Sequence, residues 1–122
     1  MKSFKEELTD KLGLKLKEIS TEQAEDHVNF RFPVEALHYA NGGSIFESFT
    51  ICWRTEKYVY SDEISRVAKE YYEPRGFRCI DDDHIMGDIV WEKDGQRYLS
   101  FFDLYNDPFE GSLYYRFQKT LR

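Results

Sequence analysis

The sequence predicts an α+β domain: a largely antiparallel sheet of five to seven strands with two helices, its last four strands a meander after the second helix. Three observations carry this. Apolar residues from Ile64 to Tyr72 recur with helical spacing. Apolar residues recur at alternate positions within 44–54, as Phe49, Ile51 and Trp53, and within 112–121, as Leu113, Tyr115 and Phe117. The turn residues after position 76 are spaced for short strands rather than for further helices. At 122 residues the chain fits one globular domain over 1–122, and at 41% hydrophobic and 17% aromatic it has enough apolar mass for a core.

Ser3 is placed to cap a helix over 4–12, with Glu6 at the third helical position. Phe4, Leu8 and Leu12 form its apolar stripe, and Gly13 suits the C-terminal cap. Leu14, Leu16 and Ile19 read as a short strand or an extended linker, and Ser20 to Gln23 as a turn or a single helical turn. Val28, Phe30 and Phe32 alternate as a half-buried strand that Pro33 ends. Residues 34–40 read either as a helical face or, preferred here, as one arm of a hairpin turning at Asn41-Gly42.

The strand 44–54 places Ile45, Glu47, Phe49, Ile51 and Trp53 on one face and Phe46, Ser48, Thr50, Cys52 and Arg54 on the other. Thr55 to Lys57 turns the chain, and Tyr58-Val59-Tyr60 reads as a further short strand. Ser61 opens the clearest helix, with Asp62 and Glu63 in its first turn, where the helix dipole favours acids. Ile64, Val67, Ala68, Tyr71 and Tyr72 make its buried face, and Pro74 and Gly76 end it.

Strands are then expected over 77–80, about 84–92, 96–104 and 112–121. They are separated by an Asp81-Asp82-Asp83 turn, a Lys93-Asp94-Gly95 hairpin and a loop from Asn106 to Gly111. With only one face requiring burial, the second helix is expected to pack its stripe on Trp91 and Phe101.

The net charge is −6, and it is unevenly placed. Residues 81–110 hold nine acids against two bases, −7, which leaves +1 over the rest. Such a region repels a nucleic-acid backbone and attracts a cation or a basic protein. No apolar run is long enough to span a bilayer and the N-terminus lacks a hydrophobic signal core, so a cytoplasmic location without membrane partner is expected. Cys52 and Cys79 are expected as buried free thiols, a disulfide being possible only if their strands adjoin.

No catalytic, cofactor-binding or metal-binding residue is assigned. His27, His38 and His84 are scattered, and Asp81-Asp82-Asp83-His84 has no ligand spacing, since alternate side chains of an extended segment diverge. Gly42-Gly43 is too short to cradle phosphate and no lysine follows it. Metal nucleases use an acid-acid-lysine grouping with the lysine two positions beyond the acid; in Asp88, Glu92 and Lys93 the lysine is adjacent to the acid and the two face opposite ways on a strand, so that grouping is rejected.

The aromatic load is the stronger signal, with ten Phe, nine Tyr and two Trp. Tyr105, Phe109, Tyr114 and Tyr115 fall beside the acidic loop, and tyrosine is frequent at interfaces because it offers area and a hydrogen bond at low entropy cost. The expected partner surface is therefore Asp81, Asp82, Asp103, Tyr105, Asp107, Phe109, Glu110 and Tyr114. The expected function is that of a non-enzymatic regulator, inhibitor or immunity-like partner of a basic protein. The alternatives are a small metal-assisted hydrolase using the same carboxylates, and a homodimeric or small-ligand module.

Overall fold

A computed structural model describes residues 2–24, 44–54, 57–83 and 87–120. The expected strand at 28–32, the hairpin at Asn41-Gly42 and all three histidines lie outside the described residues. The elements run α1 (Phe4–Leu12), β1 (Leu16–Lys17), β2 (Ile45–Arg54), α2 (Ser61–Tyr72), a 3-10 turn (Glu73–Arg75), β3 (Arg78–Asp82), β4 (Ile89–Lys93), β5 (Gln96–Asn106) and β6 (Glu110–Lys119). The six strands form one sheet in the order β1-β2-β6-β5-β4-β3, antiparallel at every pairing. The α+β class and the β3-to-β6 meander are as the sequence predicts.

The helices α1 and α2 begin on local chemistry, and so does a further helical turn after Ser20. The Ser3 hydroxyl accepts from the Glu6 N–H at 3.2 Å and donates to the Glu6 carboxylate. Gly13 takes the left-handed conformation that closes α1. The Tyr60 N–H donates to Glu63 at 3.2 Å and starts α2. A second capping box lies at Ser20, whose N–H and hydroxyl engage the side chain and N–H of Gln23. At the β4–β5 turn, Asp94 and Gly95 both have positive φ, the twist a two-residue hairpin requires.

One face of the sheet carries the helices. Phe4, Leu8 and Leu12 of α1 and Ile64, Val67, Ala68 and Tyr72 of α2 bury against Ile51, Trp53, Ile89, Trp91, Leu113, Tyr115 and Phe117. Tyr72, not Tyr71, takes the centre, its ring stacked on Phe117 at 4.4 Å.

Several sequence expectations are corrected. Phe101 pairs with Arg116 and lies on the face away from the helices, so it is no partner of α2. That second face is not solvated as expected, since Leu99, Phe101, Tyr114 and Gln118 are all buried. A bulge between Ile45 and Glu47 shifts the start of β2. Ile45 therefore pairs with Gln118, while Phe46 turns to the helix side against Phe77, Tyr98 and Phe117. Asp81 and Asp82 belong to β3 and not to a turn, because they continue its pairing with Val90 and Ile89 past a bulge. Tyr58 to Tyr60 form no strand.

The two cysteines are free and half-buried rather than buried. Three strands separate theirs, which places them about 19 Å apart across the sheet and excludes a disulfide. Burial pushes both thiols up, so neither is activated. Among the described residues no helix is long and apolar enough to cross a membrane.

Candidate functional site

The eight residues expected to form a partner surface do not all meet. Asp103, Tyr105, Asp107, Phe109 and Glu110 lie on the β5–β6 hairpin near its turn. Asp81 sits on β3, in register with Val90 and through it with Leu99. It is thus two strands, about 10 Å, across from β5 and a further 13 Å or so along the strands from Asp103. Asp82 faces the other way, its largely buried carboxylate paired with Lys69 of α2. Tyr114 is buried beside Arg116. The acidic run at 81–83 and the acidic hairpin are therefore two places.

The hairpin end has a built turn. Asp107 Oδ1 accepts from the N–H groups of Phe109 and Glu110, both at 2.7 Å, and the Asp107 N–H donates to the Glu110 carbonyl at 3.0 Å. These backbone donors hold the Asp107 carboxyl below the usual range, so it stays ionised. Phe109, at the tip, is 83% exposed.

Beside the turn lies a segment that sequence reasoning took for a strand. Residues 57–60 are irregular, yet side chains fix them from two sides. The Trp53 indole N–H donates to the Lys57 carbonyl at 3.1 Å. The Asn106 amide clasps Val59, accepting from its N–H at 3.2 Å and donating to its carbonyl at 3.0 Å. Asn106 thus does for Val59 what a neighbouring strand would do.

Trp53 can reach Lys57 because it lies flat over Gly111, where a Cβ would fall 2.1 Å from the indole. Val59 is buried at 1% exposure, and the extended backbone turns Tyr58 and Tyr60 outward, each 61% exposed, their ring centroids 4.8 Å apart.

The register brings these parts together. Leu16 pairs with Trp53, Trp53 with Gly111, and Gly111 with Asn106. Five of the seven large apolar side chains exposed among the described residues (Leu16, Tyr58, Tyr60, Tyr105 and Phe109) therefore lie at this one end of the sheet. Tyr58 and Tyr60 were absent from the sequence-derived set. The alternation around Val59 signals them, but the Asn106 clasp that ties their segment to the end of β5 spans 47 residues.

The described carboxylates of raised pKa lie elsewhere. Glu47 is half-buried on the helix side, where desolvation pushes its carboxyl up, and it accepts from the Tyr72 hydroxyl at 3.1 Å. Tyr72 in turn accepts from Tyr115 at 3.0 Å, and the Trp91 indole donates to Ser100 at 2.9 Å nearby. Burial holds both phenols protonated. These bonds satisfy polar groups inside the aromatic core. Asp88 is raised by burial and by Asp83. Among the described residues no three His, Cys, Asp or Glu side chains gather as metal ligands. Comparison with protein-family models, with curated proteins and with solved structures gives no match for this chain.

Proposed function

We propose that this chain is a non-enzymatic binding protein that captures a basic protein through the Asn106 end of its sheet. One observation carries the reading. Two segments that carry exposed rings, 58–60 and 105–109, are tied at one end of the sheet by hydrogen bonds from Trp53, Asn106 and Asp107 to backbone, which leave little backbone freedom to lose on binding. Rigid aromatics at low entropy cost are what interfaces use as anchors. The acids of the same hairpin supply charge complementarity toward a basic surface. A cytoplasmic location belongs to this reading, consistent with two unpaired thiols.

The test is capture from a lysate at low and high salt, comparing three forms of the chain. Asp107→Asn combined with Glu110→Gln keeps the turn's acceptor oxygen while removing two charges, and is expected to weaken capture at low salt. Asp81→Asn, on the far sheet edge, is expected to leave it unchanged. Capture that is insensitive both to salt and to the double variant would sink the reading.

A further inference from the structure

We infer that two copies of this chain pair edge to edge through β2, antiparallel about a twofold axis at Phe49. This contact uses neither the acids of the Asn106 end nor its rings at 58–60 and 105–109, so it is independent of capture of a basic protein.

β2 is ten residues long, but its outer neighbour β1 pairs only with Cys52 and Trp53. Next to that pairing the Arg54 N–H donates to the Lys15 carbonyl at 3.1 Å. Backbone groups along a strand point alternately to its two sides, so Cys52, Thr50 and Ser48 face outward as Arg54 does. Arg54 and Cys52 are taken by Lys15 and Lys17. The N–H and carbonyl groups of Ser48 and Thr50 meet no strand among the described residues. Ser48 is exposed and Thr50 half-buried, which leaves the edge open to an incoming strand.

The two edges of the sheet differ. β3, the other edge, carries Arg78, Asp81 and Asp82 and a bulge between Cys79 and Asp81, devices that discourage pairing. Residues 47–51 of β2 carry one charge, Glu47, whose carboxylate is engaged by the Tyr72 hydroxyl and the Lys5 N–H. One open edge and one guarded edge let a pair close but no fibre grow.

A second copy fits the open edge in one register. Cys52 is taken on one side, and Phe46 lies in the bulge on the other. Ser48 of each chain opposite Thr50 of the other satisfies all four outward backbone groups of both chains. Phe49 then lies opposite its own copy and Glu47 opposite Ile51, with the two Glu47 positions about 13 Å apart along the strands, so like charges do not meet. Beyond Glu47 the incoming strand reaches the end of β1, and its own bulge turns it aside there. That brings the exposed Phe46 of one copy up to β1 of the other, where the exposed Leu16 is turned to the same helix-bearing face. The open stretch and the bulge that ends it are thus matched by the same features of a second copy.

Sedimentation equilibrium of the intact chain tests the pairing, with amide exchange at Ser48 and Thr50 as the local readout. A concentration-dependent dimer is expected, with both amides slowed as it forms. Ser48→Pro removes an N–H that faces outward on an edge strand, where proline is tolerated, and is expected to weaken the dimer about tenfold. The register has its own test in chains carrying Cys52→Ser and Cys79→Ser. Positions 48 and 50 of opposite copies face each other at about 5.5 Å between Cα atoms, within disulfide reach, whereas 48 to 48 and 50 to 50 are diagonals of roughly 7–8 Å. Under mild oxidation a mixture of S48C and T50C chains is therefore expected to crosslink as the heterodimer, and neither variant alone. A chain that stays monomeric at millimolar concentration with both amides exchanging freely overturns the inference. So does a dimer in which S48C or T50C alone crosslinks as well as the mixture. Asp107→Asn with Glu110→Gln is expected to leave the dimer unchanged, so failure here and failure of the basic-partner reading are read separately.

Discussion

Around Phe117 the aromatic side chains are stacked to exclude water, whereas around Val59 they are turned out to it. Both clusters sit on one sheet, and both depend on polar side chains to hold their geometry. In the core, Tyr72 and Tyr115 bury their hydroxyls and satisfy them on each other and on Glu47. At the sheet end, Trp53 and Asn106 bury their polar atoms and use them to hold backbone. In the first case hydrogen bonds let large rings go inside without an unpaired polar group. In the second they let rings stay outside without a mobile loop. Exposed aromatics are thus a different feature from an incomplete core, and the backbone ties beneath them mark the difference.

The sharpest way to break this comparison is to remove one ring from each cluster. Phe117 is fully buried and touches Tyr72, Phe77, Tyr98 and Phe46. Phe117→Ala is expected to cost about 4 kcal/mol, as transfer energy plus the cavity left behind. Phe109→Ala, at the 83%-exposed tip, should stay within about 0.5 kcal/mol of the parent. Urea unfolding of the two variants checks both values. Comparable losses would mean that Phe109 belongs to the fold and not to a presented surface.

A smaller effect is expected from the clasp. Asn106→Ala leaves the Val59 N–H and carbonyl without their partner beneath a buried side chain, at a cost of about 1–2 kcal/mol. The more telling readout is local. Amide exchange at Val59 should accelerate and the Tyr58 and Tyr60 ring resonances should converge toward averaged values, while amides of β4 keep their protection. Unchanged exchange at Val59 would show that burial of its side chain alone fixes the segment.

Much of the scaffold was legible because its signals are local. Ser3, Gly13, the stripe from Ile64 to Tyr72 and Asp94-Gly95 each act within a few residues of themselves, so reading them requires no knowledge of what lies opposite. The errors fall where the partner is distant. Phe46 was assigned to the wrong face because the bulge that turns it is a property of the β2–β6 pairing, not of β2. The acidic hairpin was legible as a composition, but Asp81 and Asp82 were grouped with it because proximity in sequence stood in for proximity in space. Tyr58 and Tyr60 are not legible as part of this end because what ties their segment to β5 is an asparagine side chain 47 residues from Val59.

Glu47 gives the smallest of these effects and tests the core half of the comparison. Its carboxyl is raised by desolvation, with the Tyr72 hydroxyl and the Lys5 N–H opposing that shift. The folded chain therefore holds this proton to higher pH than the unfolded chain does. The group's contribution is complete below the unfolded glutamate pKa, about 4.3, and is lost as pH rises through the folded value. Glu47→Gln keeps an acceptor for Tyr72 and has no charge to desolvate. The variant should match the parent near pH 4 and become the more stable of the two toward pH 7, by a margin that half-exposure to solvent keeps modest. Thermal melts of both proteins across that interval provide the measurement. A parent that gains on the variant as pH rises would mean that the ionised carboxylate is stabilised where it sits, and that the core around Tyr72 tolerates charge as the sheet end does.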